Sequence, residues 1–386
     1  MTNGMARGAQ SGVMTALSLL IGTGGIMITG VQPLLLGSLL SRDVVTASEL
    51  GLAGSVEIFA LAAGIVLGSR ILLGSASRRY IVFAALAMAA LNLFTGWAGA
   101  GWQIVLLRAL AGLSEGVLIA VIMLAIAHSD RPERLGGFFL SVSGPPSLIM
   151  AYFLPSALVP QFGWDVGFVL MAMTGLICAL AGAFYHADYS AAEEQVHEHF
   201  AWTRPVLLGL AATLLANAAF GASWTYIEPL ATSRGIDPVQ VGELVTFGIG
   251  CMISGSLAVA LSGRHFRALG FLQSAASFQV AAIVILMNTS SFLPFTLALG
   301  ALCFFWQASA PCAIALMAAL DETRVTASLS FPIQLTGLSI GPLVAATGAS
   351  RSLAFPYLLG ALLLVAAGLI LVVLRGSSRQ TASVQI

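Results

Sequence analysis

Apolar residues come in long blocks separated by short polar breaks. The blocks fall at residues 13–40, 49–69, 80–99, 103–127, 136–159, 164–185, 205–229, 239–262, 269–287, 292–319, 325–349 and 353–374. About 20 apolar residues, each rising ~1.5 Å, carry a helix across the hydrocarbon core of a bilayer. A membrane barrel would instead show short alternating segments. The pattern therefore predicts an all-α polytopic membrane protein with twelve transmembrane helices. Several breaks carry helix-start chemistry. Asp237-Pro238-Val239-Gln240 supplies a capping side chain, a proline at the first helical position and a glutamine at the third. Thr46-Ala47-Ser48-Glu49 and Asp130-Arg131-Pro132-Glu133 follow the same logic.

Composition agrees with that pattern. Apolar residues make up 58% of the 386 and charged residues 8%, against about 25% charged in an ordinary soluble domain. So few charges could not cover the surface of a soluble fold of this size. The 16 basic and 16 acidic residues cancel, which leaves no basic footprint for nucleic acid. Cys178, Cys251, Cys303 and Cys312 all lie inside apolar blocks without metal-knuckle spacing, and read as small apolar side chains. The first block is too long for the core of a cleavable signal, so it is expected to stay as a span. No phosphate-binding loop is present, so ATP is not expected to drive the protein, and no cofactor is expected.

Arginines set the expected orientation. With the N-terminus inside, the cytoplasmic side carries Arg7, Arg70, Arg78, Arg79, Arg131, Arg134, Arg204, Arg264, Arg267, Arg324, Arg375 and Arg379. The outer loops carry Arg42, Arg234 and Arg351, and Arg108 lies within a span. Both termini are thus expected in the cytoplasm. The polar, acidic stretch 186–204 falls halfway along the chain and reads as a linker. It divides a first six-helix bundle, 1–185, from a second, 205–386.

The halves echo one another. Gln32-Pro33-Leu34 ends the first block and Glu228-Pro229-Leu230 the seventh. Glu49 precedes Arg70 by 21 residues, and Glu243 precedes Arg264 by the same 21. Gly144-Pro145 has a looser echo in Gly341-Pro342. Such correspondence fits duplication of a six-helix unit, with a solute site near midplane between the copies.

Twelve spans, internal termini, a mid-chain loop and paired halves resemble the major facilitator superfamily along essentially the whole chain. In the fourth span, Arg108-x-x-x-Gly112-x-x-Glu115-Gly116 resembles the family's arginine–glycine motif, and its glutamate resembles the anion:cation symporter and spinster-like branches. Asp130-Arg131-Pro132-Glu133-Arg134 resembles the loop into span five, and Gly144-Pro145-Pro146 the glycine–proline element of antiporters. The family's G-x-L-A-D-R-x-G-R-R loop is only partly kept, because Gly68 to Arg79 contains no acid. The resemblance implies that spans four, seven and ten face a central cavity.

Charges at membrane depth cost about 2.5–3.5 kcal/mol each, so the few present are candidates for function. Arg108 and Glu115 lie on one helical face, about 10.5 Å apart along the axis, too far for comfortable direct pairing. Glu57 lies at a depth comparable to Arg108. Two readings are open: an Arg108–Glu57 pair that ties helices together, or Arg108 as a solute-binding cation with Glu115 and Glu57 as proton-coupling carboxyls. Asn217 and Tyr226 in span seven, with Trp306 and Gln307 in span ten, are further candidates for holding solute. Trp224 and Tyr226 also fit an interfacial aromatic belt. Gln32 and Glu228, beside matched prolines, read as an outer gate. Small-residue pairs at Gly64/Gly68, Gly112/Gly116 and Gly337/Gly341 predict close helix packing within a bundle. His197-Glu198-His199, with His186 and Asp188, has no fixed ligand spacing and reads as solvated linker, not a metal site.

The expectation is a proton-coupled secondary transporter in the cell (inner) membrane, working as a monomer by alternating access. Its partners would be a small-molecule substrate, protons and the lipid bilayer, and Arg108 with Glu115 favours an imported organic anion. A drug-type antiporter exporting lipophilic compounds is the alternative, followed by a transporter-like sensor. No nucleophile–base constellation at membrane depth supports an enzyme.

Overall fold

The structure is a computed structural model that describes residues 2–73, 77–127, 129, 132–186, 202–262, 268–320 and 325–384. In chain order its helices are α1 (Thr2–Ser41), α2 (Ala47–Ile71), α3 (Ser77–Trp97), α4 (Gly101–Ala127) and α5 (Pro132–Phe153). Next come α6 (Val159–Phe162), α7 (Val166–Ala183), α8 (Arg204–Thr225), α9 (Ile227–Ser233) and α10 (Pro238–Ser262). The last four are α11 (Ala268–Asn288), α12 (Phe292–Leu320), α13 (Val325–Ala349) and α14 (Phe355–Val384). Among the described residues, eleven helical stretches are long and apolar enough to cross a membrane. The α13 stretch is helical throughout but carries Gln334 and the internal prolines Pro332 and Pro342, and is not among those eleven. Large apolar side chains face outward, with Phe83 74% and Leu362 69% exposed. That is the reverse of a soluble protein and the expected face toward lipid.

Two helix irregularities have local causes. Between α5 and α6 the chain makes a π-helical turn at Leu154–Leu158, where Pro155 has no N–H to donate. Gly163, at φ 78°, then ends α6 in a conformation that glycine adopts without cost. The seventh apolar block, expected as one helix to 229, breaks at Tyr226, so that α8 ends at Thr225 and α9 begins at Ile227. Pro229 explains the break, since its ring opposes the carbonyl four residues earlier, that of Thr225. The matched Pro33 leaves α1 unbroken to Ser41.

The chain forms two compact units. The first contains residues 1–35 and 56–196. In it, α2 and α4 meet along glycines. A Cβ on Gly112 would lie 2.1 Å from the Glu57 carbonyl oxygen, and one on Gly116 2.1 Å from that of Leu61. Gly64 opposes Leu113 in the same way, and a Cβ on Gly25 of α1 would lie 2.7 Å from the Glu115 carbonyl oxygen. Three helices thereby converge at backbone contact on the stretch of α4 that carries Glu115.

The second unit contains residues 36–55 and 197–386. Gly337 and Gly341 of α13 oppose the Leu214 and Ala218 carbonyls of α8. The end of α1 and start of α2 belong to this unit and are tied to it by hydrogen bonds. Tyr226 Oη donates to the Ala47 carbonyl at 2.8 Å, Ser48 Oγ to that of Ala346 at 2.6 Å, and Ser339 Oγ to that of Ser55 at 3.0 Å.

Gly116→Ala is expected to force α2 and α4 apart and cost about 1–3 kcal/mol, the usual range for overpacking. Thermal unfolding of the purified protein in detergent measures it. Gly99→Ala is the control, since nothing lies within 4 Å of a Cβ there.

Candidate functional site

A guanidinium at membrane depth must find partners inside the protein, and Arg108 finds them on three helices. Its Nη1 donates to Glu57 Oε1 of α2 at 2.8 Å, and its Nη2 to Asn92 Oδ1 at 3.0 Å and Thr95 Oγ1 at 2.8 Å, both on α3. Arg108 and Glu57 are 0% exposed. The acceptors are held ready by their own helix. Asn92 Nδ2 donates to the Met88 carbonyl and Thr95 Oγ1 to that of Leu91, so each turns an oxygen lone pair toward the arginine. The Phe168 ring of α7 lies with its centroid 5.7 Å from the guanidinium carbon, within cation–π range. Only Nε of Arg108 lacks a partner.

Gln32, expected at an outer gate, also joins this network. Its Nε2 donates to Glu57 Oε2 at 3.1 Å, and Gln32 is buried. The Glu57 carboxylate therefore has both oxygens occupied, one by a charge and one by an amide. Of the two readings open from sequence, the structure displays the Arg108–Glu57 ion pair. A solute anion at Arg108 has to compete with that carboxylate.

Glu115 is different. It is fully buried on α4, and neither carboxyl oxygen meets a hydrogen-bond partner, with Asn92 its polar neighbour. The structure shows no ion pair between Glu115 and Arg108, in keeping with their spacing along the helix. One hydrogen-bonded charge pair and one carboxyl without a hydrogen bond thus share the core of the first unit.

Besides the Glu228 carboxyl, the second unit holds buried amides and aromatic rings. Trp306 Nε1 of α12 donates to Asn217 Oδ1 of α8 at 3.0 Å, and Asn217 Nδ2 donates to the Thr213 carbonyl. The Trp306 ring stacks on Phe220 at 3.7 Å and 3°, and Phe220 stacks on Trp224 at 5.7 Å. Trp224 and Tyr226 are 3% and 0% exposed. They are not lipid-facing belt residues, because the stack and the Ala47 carbonyl hold them inside. Asn217 and Trp306 line a cavity of about 40 Å³. Gln307 is half-buried elsewhere on α12, and Tyr226 lies away from that cavity.

Glu228 of α9 is 6% exposed, accepts a hydrogen bond from Thr232 Oγ1 at 3.2 Å, and lies over Gly37. A Cβ on Gly37 would fall 2.0 Å from Glu228 Oε2, so glycine is required there. Among the described residues no cluster of three or more potential metal ligands occurs. Asp188 and His197-Glu198-His199 lie outside the described residues. Sequence reasoning missed Asn92, Thr95, Gln279 and Gln334. The signal for the first two was two polar side chains, three apart, in the apolar run of α3.

Residues 4–324 match the Major Facilitator Superfamily, and the chain belongs to that family. It is a membrane transporter, not an enzyme. Solved structures with the same fold include a variant of the nucleoside transporter NupG, at TM-score 0.73 and 10% identity, covering 94% of this chain and 99% of that one. NupG without that substitution matches at TM-score 0.71 and 10% identity, over 94% and 98% of the two chains. A bacterial homolog of the human lysosomal transporter Spinster, inward-facing and occupied, matches at TM-score 0.64 and 14% identity, over 96% and 97%. No curated protein matches the sequence.

Breaking the ion pair from one side is expected to be costly. Glu57→Ala leaves a buried guanidinium without its counter-charge, at about 3–5 kcal/mol. Pairing Glu57→Leu with Arg108→Met removes both charges at similar volume and is expected to restore most of that loss. Detergent-phase thermal unfolding of the single and paired variants checks this.

Proposed function

We propose that the chain is a proton-coupled secondary transporter of the cell (inner) membrane that moves a small organic solute by alternating access. In this reading it has twelve spans and cytoplasmic termini. Two six-helix halves, 1–185 and 205–386, are joined by the linker 186–204, and the protein works as a monomer.

The observation that carries the reading is Glu115, a carboxyl buried with neither oxygen hydrogen-bonded, on the same α4 face as Arg108 and seven residues further on. Glu57 is committed to Arg108 and Gln32, so it serves to hold the arginine in place. Glu115 has no such duty. A charge there is costly while the surroundings exclude water, and the cost falls when a cavity opens and hydrates the group. Opening and closing of the site would therefore change how firmly Glu115 keeps its proton, and that change is what couples a proton gradient to solute movement. Glu228 over Gly37 serves in this reading as the outer gate.

A second reading of the solute rests on Arg108 Nε, a buried donor without a partner. An organic anion that reached it would share a guanidinium whose other nitrogens are engaged. Arg108→Lys keeps the charge and loses the planar fork, so it separates an anion site from a structural pair.

The test is uptake of labelled solutes into vesicles containing the protein, with and without a pH gradient. Glu115→Gln is expected to lower gradient-driven accumulation at least tenfold while leaving gradient-free exchange within about twofold. Full accumulation by Glu115→Gln would rule Glu115 out as the carrier. The sign of the gradient that drives uptake separates symport from antiport.

A further inference from the structure

Two side chains at the break between α8 and α9 seat in glycine notches. Tyr226 Oη lies over Gly51, near the start of α2, and Glu228 Oε2 lies over Gly37, near the end of α1. A Cβ on either glycine would overlap the oxygen above it. Both notches belong to residues 36–55, the tip where α1 ends and α2 begins. The tip belongs to the second unit, while the remaining lengths of α1 and α2 belong to the first. It is otherwise fastened by hydroxyls on backbone carbonyls. Tyr226 Oη donates to Ala47, Ser48 Oγ to Ala346 and Ser339 Oγ to Ser55. Such neutral bonds exchange for bonds to water at small net cost.

Glu228 differs from these fastenings because its charge can change. It keeps 6% of its surface accessible, so water reaches it, and the Thr232 hydroxyl donates to it at 3.2 Å. Among the described residues no charged side chain acts on it. Arg42 donates to the Ser38 carbonyl and Arg234 to that of Met287, while Glu49 accepts from the Thr46 N–H. On α10, which packs on α9, Asp237 caps its own helix and Glu243 is exposed. The seventh span ends at Thr225, so Glu228 lies beyond it. Burial there pushes its carboxyl up to about 7. Released into water, the group would ionise near its ordinary value of about 4.3. Seating and proton binding are therefore linked. The seated form gains most below about pH 4.3, and that advantage is lost as pH rises to about 7.

We propose that Glu228 is a proton-operated latch on the α1–α2 tip: neutral, it stays seated over Gly37, and ionised, it lets the tip leave α9. Tyr226 and Glu228 project from the same helix break, so both oxygens leave their notches together. The proposal deepens the outer-gate role given to Glu228 and rests on the transporter reading for its biological meaning. The latch itself needs neither Glu115 nor a solute.

The experiment measures the distance between spin labels on Ser41→Cys in the tip and Ser233→Cys in α9. Pulsed electron spin resonance reads it on the full-length protein in lipid nanodiscs. Both positions are exposed, and Cys251, which is not fully buried, is replaced by alanine. The expected result is a short distance at about pH 5 and a longer population at about pH 8. The ratio of seated to released forms should fall at least tenfold between them, by linkage. Glu228→Gln, which stays neutral, is expected to hold the short distance at both pH values. Gly37→Ala, which fills the notch, is expected to give the longer distance at both. Glu115→Gln is expected to respond as the unsubstituted protein does. A distance independent of pH in the unsubstituted protein overturns the proposal. So does a retained response in Glu228→Gln, a lost response in Glu115→Gln, or an unchanged short distance in Gly37→Ala. Vesicle uptake keeps the two claims apart. Gradient-driven uptake with a tip indifferent to pH sinks the latch alone, whereas a pH-operated tip without gradient-driven uptake sinks the transporter coupling alone.

Discussion

Everything in the first unit depends on the cost of a guanidinium away from water. Arg108 is fully buried, and no side chain of α4 itself answers it. The partners must come from other helices, and they do: a carboxylate from α2, an amide and a hydroxyl from α3, and a ring face from α7. Gln32 of α1 completes the set at one remove, through Glu57. Five helices are therefore located relative to one another by a single charge. In water such a pair adds little. At membrane depth the alternative is an unpaired charge in hydrocarbon, so the pairing is strict.

The glycines make that pairing possible. Glu57 reaches Arg108 because its own backbone carbonyl lies against Gly112, one turn further along α4 from the arginine. A larger residue at Gly112 or Gly116 would move α2 outward and lengthen the ion pair. Close packing and charge compensation are thus one feature, and the small-residue spacing in α4 serves the arginine as well as dispersion contacts. Glu115 sits between those two glycines, where helix backbones meet and neither of its carboxyl oxygens accepts a hydrogen bond.

The second unit solves its polar problem differently. Apart from the Glu228 carboxyl, its interior polarity is carried by groups such as Asn217, Gln279, Gln334 and the indole of Trp306, which need hydrogen bonds but no counter-charge. An amide atom left without a partner is tolerable where a charge is not. The chemistry of the units differs accordingly: an ion pair and a second buried carboxyl in the first, amides and an indole with the Glu228 carboxyl in the second.

The sequence by itself determined the class of protein. Long apolar blocks and 8% charge admit little besides a bundle of membrane helices, and the short list of buried charges follows directly from where they fall. Helical period also placed Arg108 and Glu115 on one face and kept them from pairing. What it could not decide was which helix faces which. Period fixes the azimuth of a side chain on its own helix but says nothing of the neighbour's rotation or depth. That is why the Gln32 hydrogen bond to Glu57 is invisible in the sequence, and why Trp224 and Tyr226 fit a lipid belt by sequence yet lie inside. The break after Thr225 was legible only in part, since Pro33 and Pro229 share a motif and one helix runs on while the other stops. Tertiary packing made those choices, because each depends on a contact between residues far apart in the chain.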